Sequence, residues 1–328
     1  MTVNSNDKRR RARGVAALVA TLLVAACGGS GEPTTRFHAT RVIAFGDESS
    51  LIVDTRGDAN GSKYSVNATV SATDPTIVCG ANAVWSQSVA AFYGLVFPEC
   101  NPNKVATTSR IRAAYGARAA DLGAQIDAQQ AESPLGAGDM TTVLIGEHDI
   151  LEEYRKFPLV SQEQLVANVE AQGQEVGRQV NRITDTGAKV LLSTVMDVGF
   201  TPFGVAERQA HSDADRITLL SLLSQRFNAA MRATIFNDGR KIGLVLLDEL
   251  TTSVVLLPGT GGFTNPLQAV CDLTKSALTP PSILDCTAQT FVAGGTSTYL
   301  WADDIHISAS GQITLGTAAI GRAENNPF

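Results

Sequence analysis

An aspartate and a histidine in the last tenth of the chain could supply half of a hydrolytic site. Asp303 and His306 stand three residues apart, a spacing at which a carboxylate can reach an imidazole on a tight turn. In that geometry the aspartate fixes the tautomer of the histidine and stabilises the imidazolium that forms when the histidine acts as a general base. The spacing alone also suits an incidental pair on a surface loop, so catalysis by His306 depends on a nucleophilic side chain beside it.

Polar residues also follow two apolar runs earlier in the chain. Gly46-Asp47-Glu48-Ser49-Ser50 follows the run 41–45, and Gly146-Glu147-His148-Asp149 follows the run 141–145. Short runs that are nearly continuous in apolar residues are typical of parallel strands covered on both faces. Because open parallel sheets place their sites beyond the carboxyl ends of the strands, we expect these polar residues to share one edge of a sheet with the Asp303–His306 pair.

The remaining pattern supplies the rest of such a sheet. Two further apolar runs cover 189–193 and 242–247, and helical periodicity covers 83–93, 117–130, 162–184 and 213–235. Strands that alternate with helices over this length predict an open α/β sheet with right-handed crossovers. The crossovers are long, which favours insertions above the sheet over a second domain.

Four motifs in order resemble those of the SGNH hydrolases, also called GDSL esterases and lipases. They are Phe45-Gly46-Asp47, Tyr115-Gly116-Ala117-Arg118, Gly146-Glu147-His148-Asp149 and Asp303-Asp304-Ile305-His306. The resemblance covers most of residues 40–320. It implies a three-layer α/β/α sandwich with a central, mainly parallel sheet of the flavodoxin-like kind, and hydrolysis of carboxylic esters through an acyl-enzyme without metal or cofactor. It also implies that His306 is the general base, that Asp303 orients it, and that the Gly116 backbone N–H serves the oxyanion hole.

The sequence departs from the family pattern at two positions. Glu48 stands where the family has its nucleophilic serine, and His148 stands where the family has an asparagine that donates to the oxyanion. His148 can still donate one N–H at that place. Alternatively, Glu147, His148, Asp149 and Glu152 could bind a cation, but their spacing fits no standard metal motif, so we predict no metal.

Three readings of the turn after Asp47 follow. In the first, the turn carries one extra residue and Ser49 is the nucleophile. In the second, Glu48 occupies the nucleophile's position and pairs with His306, which stabilises the protonated imidazole and leaves a catalytically silent ligand-binding or cell-envelope protein. In the third, Glu48 acts as a base or nucleophile toward something other than a simple ester.

The first 26 residues have the three parts of a secretory signal: a basic segment over 8–13, a mostly apolar stretch over 14–26, and small residues before Cys27. The apolar stretch is too short for a membrane span, since it would rise only about 20 Å as a helix. Small residues before a cysteine resemble a bacterial lipobox, in which Cys27 becomes the lipidated N-terminus. We therefore predict a signal peptide over 1–26, a flexible tether over 27–38 and one SGNH-hydrolase-like domain over 39–328.

Cysteine usage is consistent with export. Four cysteines remain besides Cys27, and an even number in an oxidising compartment suggests two disulfides. Of the three possible pairings we favour the two local ones, Cys79–Cys100 and Cys271–Cys286, because each would pin a proline-rich segment. A structural zinc site is the alternative, although no pair of cysteines has the close spacing of zinc ligands.

The net charge limits which partners the protein can have. The 328-residue chain has a net charge of -6, and loss of residues 1–26, which carry +4, leaves -10. An acidic protein is a poor partner for nucleic acid, and its contact with a membrane is expected to come from the lipid anchor. Gly28 after the cysteine resembles the outer-membrane sorting pattern. We predict an exported, monomeric cell-envelope lipoprotein, in the outer membrane, with a small-molecule or lipid ester as its substrate.

Overall fold

The core of the fold is a sheet of five parallel strands. The computed structural model describes residues 36–257 and 259–328, and residues 38–328 form one compact unit. The strands of the sheet are β1 (Arg41–Gly46), β4 (Arg110–Ile111), β5 (Asp139–Leu144), β6 (Lys189–Ser193) and β7 (Ile242–Val245), with β2 (Ile52–Val53) and β3 (Ser62–Lys63) paired outside it. Their order is β4-β1-β5-β6-β7, and every pairing is parallel. This is the flavodoxin-like order that the sequence predicts.

Helices flank the sheet in two groups. The first group pairs α1 (Trp85–Phe92) with α8 (Ala309–Asn325), and the second contains α2 (Leu122–Glu132), α4 (Gln162–Asp185) and α6 (Arg216–Thr234). The shorter helices α3 (Glu147–Tyr154), α5 (Pro202–Ala210) and α7 (Leu247–Leu256) each follow closely after a strand. The three-layer α/β/α class is therefore confirmed.

The long helix α4 shows why the periodicity predicted it correctly. Ser161 caps its first turn by accepting from the Gln164 backbone N–H at 3.3 Å, which satisfies one of the unpaired donors of the helix start. Its apolar stripe is fully buried and consists of Leu165, Val169, Val176, Val180 and Ile183. Burial of five branched side chains along one face outweighs the polar character of the opposite face.

The structure differs from the sequence-based expectation at two element ends and in one additional strand. The helix expected over 117–130 begins at Leu122, after a short 3-10 turn at Ala119–Asp121, because the backbone N–H of Ala119 is held by the Asp149 carboxylate at 2.9 Å. The strand expected over 242–247 ends at Val245, since Leu247 already begins α7. Strand β4 was not expected, because two residues carry no periodic signal.

Two insertions above the sheet are closed by disulfides. Cys79–Cys100 and Cys271–Cys286 are both formed, which confirms the predicted pairing. The second disulfide belongs to a segment that also contains β8 (Asn265–Ala269), which pairs with β9 (Tyr299–Trp301). Asn67 anchors this segment from the other insertion, since its backbone N–H donates to the Cys286 carbonyl at 2.8 Å.

Removal of the second disulfide is expected to lower the free energy of unfolding substantially. Cys271 and Cys286 are 15 residues apart, and a loop of that length contributes about 3 kcal/mol by restricting the unfolded chain. The double variant Cys271→Ala/Cys286→Ala should show this loss in urea unfolding at equilibrium. Reducing buffer opens both disulfides, so the wild type should lose at least as much stability there as the variant loses by substitution. An unchanged midpoint in the variant would contradict the prediction.

The predicted N-terminal features lie outside the described residues. They are the signal peptide over 1–26, the lipidated Cys27 and the tether as far as residue 35. Across residues 36–257 and 259–328, no helix is both long and apolar enough to span a bilayer.

Candidate active site

The turn that carries Glu48 begins where β1 meets β5. Gly46 has φ +123°, and a Cβ atom there would lie 1.9 Å from the Leu144 carbonyl oxygen, so only glycine fits. The Gln125 amide clamps Gly46 from α2: its Oε1 accepts from the Gly46 N–H and its Nε2 donates to the Gly46 carbonyl, both at 2.8 Å. The end of β1 is thereby fixed in position before the polar residues start.

Asp47 and Ser50 shape the turn without entering the cleft. The Asp47 carboxylate accepts from the Ser49 backbone N–H at 3.0 Å and caps the 3-10 turn at Glu48–Ser50. The Ser50 hydroxyl accepts from the indole N–H of Trp85 at 2.9 Å, and Trp85 is fully buried in α1. Trp85 is thus part of the core, as its helical position predicts.

Glu48 lies at the centre of the site. Its Oε2 accepts from the backbone N–H of Gly116 at 2.9 Å, and its Oε1 lies 2.8 Å from His148 Nε2 and 3.4 Å from His306 Nε2. Only 2% of Glu48 is exposed. The structure therefore brings together four residues that the sequence singled out, and the Glu48 carboxylate holds the N–H expected to serve an oxyanion.

Asp303 and His306 form the pair that their spacing predicts. His306 Nδ1 lies 2.7 Å from Asp303 Oδ2, and the other oxygen, Asp303 Oδ1, accepts from the backbone N–H groups of Ile305 and His306. The backbone N–H of Ala302 donates to the His306 carbonyl at 2.7 Å and closes the loop. Among the described residues, Glu48 is the side-chain partner of His306 Nε2, and no hydroxyl takes that place.

Ser49 is placed differently from Glu48. It is 4% exposed, and its backbone carbonyl accepts from Gln312 Nε2 of α8 at 3.3 Å. A cavity of about 490 Å³ opens beside the site and is bounded by Glu48, Glu147, His148, Asp303 and His306, whereas Ser49 is not among the residues that line it. A substrate in this cavity would meet the Glu48 carboxylate first.

His148 and Glu147 enter the cavity from the first turn of α3. Gly146 precedes this helix with φ +129°, and a Cβ there would lie 2.2 Å from the Phe227 ring, so glycine permits the close packing of strand end and helix. Glu147 is 3% exposed, and its Oε1 has no hydrogen-bond partner in the described structure. A buried carboxylate oxygen without a partner is costly and calls for a functional explanation.

The contacts shift the pKa values of Glu48 and His148 in opposite directions. Burial raises the pKa of Glu48, but hydrogen bonds with His148, His306 and the Gly116 N–H outweigh burial and hold it well below its ordinary value. Burial lowers the pKa of His148, but the hydrogen bond with Glu48 and the charge of Glu147 outweigh it and raise the pKa to about 9. The two groups therefore form an ion pair at neutral pH.

The pKa values of Asp303 and His306 are also shifted in opposite directions. Burial lowers the pKa of His306, but the charge and hydrogen bond of Asp303, with smaller contributions from Glu48 and Glu147, raise it well above its ordinary value. Burial raises the pKa of Asp303, while His306 and the backbone N–H groups outweigh burial and lower it. Two carboxylates consequently face this imidazole, as the reading with Glu48 at the nucleophile's position anticipates.

Two further acids in the site are shifted upward. Burial, assisted by Asp47 and Glu48, raises the pKa of Glu147 to about 8, against the opposing effect of His306. Burial and the charge of Glu48 likewise raise the pKa of Asp47 to about 7. Burial of several acids in one place has a cost that the two histidines only partly offset.

Tyrosines and a disulfide-bonded segment complete the cavity, and sequence reasoning missed both. The Tyr64 and Tyr115 rings stack with centroids 5.2 Å apart, and Tyr64 also lies 5.6 Å from the His306 ring. The lining also includes Pro280, Pro281 and Ile283, from the loop closed by Cys271–Cys286. Tyr115 was quoted within the second motif, but nothing in the sequence linked it to Tyr64.

No protein-family profile and no curated protein sequence matches the chain. Solved structures of similar fold are found at low identity. A catalytic variant of an acetylxylan esterase from Geobacillus stearothermophilus is 12% identical, with a TM-score of 0.45 over 88% of this chain and 96% of that chain. A protein described as a GDSL-like lipase from Parabacteroides merdae is 10% identical, with a TM-score of 0.39 over 88% of this chain and 98% of that chain. At these identities the likeness concerns the fold, and the chemistry of the cleft has to be argued from its own residues.

Proposed function

On this SGNH-hydrolase-like fold, we propose a binding protein whose cleft holds a small polar ligand and does not hydrolyse esters through a serine. The observation that carries this proposal is the position of Glu48. Its carboxylate lies between His306 Nε2 and the Gly116 N–H, the two groups that a serine nucleophile and its oxyanion would use. A carboxylate in that place blocks both roles.

The lining of the cavity favours a ligand with hydrogen-bond donors or positive charge. Glu48, Glu147, Asp303 and Asp304 line it together with Arg155, His148 and His306, so four acids face three basic side chains. Tyr115 is 66% exposed and stacks on Tyr64, which adds an aromatic surface at the cavity. Such a cleft resembles small-molecule sites in which a few polar groups orient a ligand against apolar walls.

We also place this cleft on an exported lipoprotein anchored through Cys27 in the outer membrane. Support comes from the lipobox-like sequence before Cys27 and from the two disulfides, which persist in oxidising compartments. Labelling of the protein with a radioactive fatty acid in a bacterial host, compared with Cys27→Ala, tests the anchor. Loss of the label in Cys27→Ala is expected, and an unlabelled wild type would contradict the assignment.

The absence of serine chemistry is tested by ester hydrolysis. Purified mature protein is expected to cleave p-nitrophenyl acetate no more than about twofold faster than His306→Ala, because a general base contributes about 10²–10⁴-fold where it functions. His211→Ala is the matched control, since His211 pairs with Glu207 outside this cavity. A wild-type rate at least 100-fold above that of His306→Ala would contradict the proposal.

Ester hydrolysis by Ser49 is the second candidate function. It is favoured by one observation, the Asp303–His306 pair held at 2.7 Å, which a serine hydrolase requires. It needs the turn at Glu48–Ser50 to rearrange so that the Ser49 hydroxyl enters the cavity. Activity that is present in the wild type and lost in Ser49→Ala would establish this function instead.

A further inference from the structure

The unpartnered Glu147 oxygen points to a ligand that the protein itself does not supply. Glu147 is 3% exposed and lines the cavity, yet its Oε1 has no hydrogen-bond donor in the described structure. Buried polar atoms in folded proteins nearly always have a partner. A bound cation is the partner that a carboxylate oxygen lacks when no donor is near.

Two other potential ligands lie next to Glu147. One ligand atom from each of Glu48, Glu147 and His148 lies within 4.8 Å of the others, and Glu48 Oε1 lies 2.8 Å from His148 Nε2. Ligand atoms around a tetrahedral zinc ion are about 3.3 Å apart, given bonds of about 2.0–2.2 Å. Side-chain movements of about 1 Å would therefore complete the geometry.

We propose that Glu48, Glu147 and His148 bind a divalent first-row metal ion, of which Zn²⁺ is the best fit. Two carboxylates and one imidazole are ligands that zinc accepts. Calcium prefers six to eight oxygen ligands and magnesium retains several waters, so a compact site with an imidazole favours neither. The site rests on the proposed function, since the same Glu48 carboxylate that blocks serine chemistry serves here as a metal ligand.

The surroundings of the three ligands are consistent with a cation. Asp47, Glu48, Glu147 and Asp303 are each at most 6% exposed. Among the described residues, the imidazoles of His148 and His306 contact Glu48, and His306 also contacts Asp303. Fully ionised, this group would carry excess negative charge, which a dication would neutralise. His306 adds a second imidazole, with Nε2 3.4 Å from Glu48 Oε1 and Nδ1 held by Asp303. Metal-binding histidines commonly have such a carboxylate behind them.

The site differs from the cation site considered from sequence. That set contained Glu147, His148, Asp149 and Glu152. Two residues of that set have other partners in the structure. Asp149 accepts from the Ala119 N–H at 2.9 Å, and Glu152 pairs with Arg118. Glu48, which is 99 residues distant in sequence from Glu147, replaces them. Glu48 and Glu147 come together only in the folded protein, because β1 and β5 are neighbouring strands and each of these residues follows one of them.

The test is titration of metal-free mature protein with ZnCl₂ by calorimetry, alongside MnCl₂, MgCl₂ and CaCl₂. We expect one equivalent of Zn²⁺ to bind with a micromolar or lower dissociation constant, and Mg²⁺ and Ca²⁺ to bind at least 100-fold more weakly. Glu147→Gln and His148→Gln should each weaken Zn²⁺ binding at least tenfold. Glu152→Gln is the matched control, because Glu152 lies on the same helix but faces Arg118, and it should bind like the wild type.

A second measurement keeps the result independent of folding. The visible absorption of Co²⁺-loaded protein reports on its ligands, and circular dichroism of each metal-free variant shows whether it folds. Absence of Zn²⁺ binding in the wild type, or equal binding in folded Glu147→Gln, His148→Gln and wild type, overturns the metal site. The ester assay is separate: serine-dependent hydrolysis overturns the proposed function, whereas a silent protein that does not bind Zn²⁺ overturns the metal site alone.

Discussion

Replacement of Glu48 by serine is expected to give the cleft esterase activity. The change removes the carboxylate that occupies the Gly116 N–H and frees His306 Nε2. It also places a hydroxyl directly after Gly46-Asp47, where SGNH hydrolases have theirs. Because a positioned general base contributes about 10²–10⁴-fold, Glu48→Ser should cleave p-nitrophenyl acetate at least 100-fold faster than the wild type, in a continuous assay at pH 8.

Two further variants identify the source of that activity. Glu48→Ala removes the carboxylate without adding a hydroxyl and should remain silent. Glu48→Ser/His306→Ala retains the hydroxyl but lacks its base, and it should lose at least 100-fold relative to Glu48→Ser. Equal rates for Glu48→Ala and Glu48→Ser would mean that the hydroxyl plays no part and that the nucleophile's position is misassigned.

Gly46→Ala is expected to be among the most destabilising single substitutions in the protein. A methyl group at this position would lie 1.9 Å from the Leu144 carbonyl oxygen, and the φ of +123° is strained for alanine. The strands must separate to relieve the overlap, which also loosens the Gln125 clamp on Gly46. The free energy of unfolding should fall by about 4 kcal/mol or more, measured by urea unfolding followed by circular dichroism.

Gly94→Ala separates the two causes of this loss. Gly94 also has a positive φ, +71°, but an added Cβ there has no other atom within 4 Å. The variant therefore carries the cost of left-handed backbone alone, about 1–2 kcal/mol. If the two glycine variants lost equal stability, steric overlap with Leu144 would not be the cause.

The sequence was most informative where a residue pattern is compatible with few structures. Continuous apolar runs predicted β1, β5, β6 and β7, because strands buried on both faces leave little choice of side chain. The spacing of Asp303 and His306 predicted their contact, since three residues on a tight turn bring the carboxylate to the imidazole. The positions of the cysteines predicted the two disulfides, because each pair closes a local loop.

The parts that escaped prediction depend on contacts between distant segments. Arg110–Ile111 joins the sheet through backbone hydrogen bonds with β1, which need no particular side chain. Gln125 looks like an ordinary helical residue until the fold brings its amide to Gly46. Tyr64 likewise becomes a site residue only because separate segments of the chain converge on one cavity. Which of Glu48 and Ser49 faces His306 was open in sequence, because a turn of one residue more or less exchanges them.

The distance along the chain between the two halves of the site bears on when the site can form. Glu48 and His306 are 258 residues apart, and Gln312 of α8 contributes to the turn through the Ser49 carbonyl. A nascent chain that ends before Asp303 has the strand, the turn and the carboxylate, but no opposing imidazole. Closing so long a loop is an entropic cost that only near-complete packing can offset. The cleft is therefore an attribute of the finished, disulfide-bonded molecule, and shortened or partly synthesised chains will lack it.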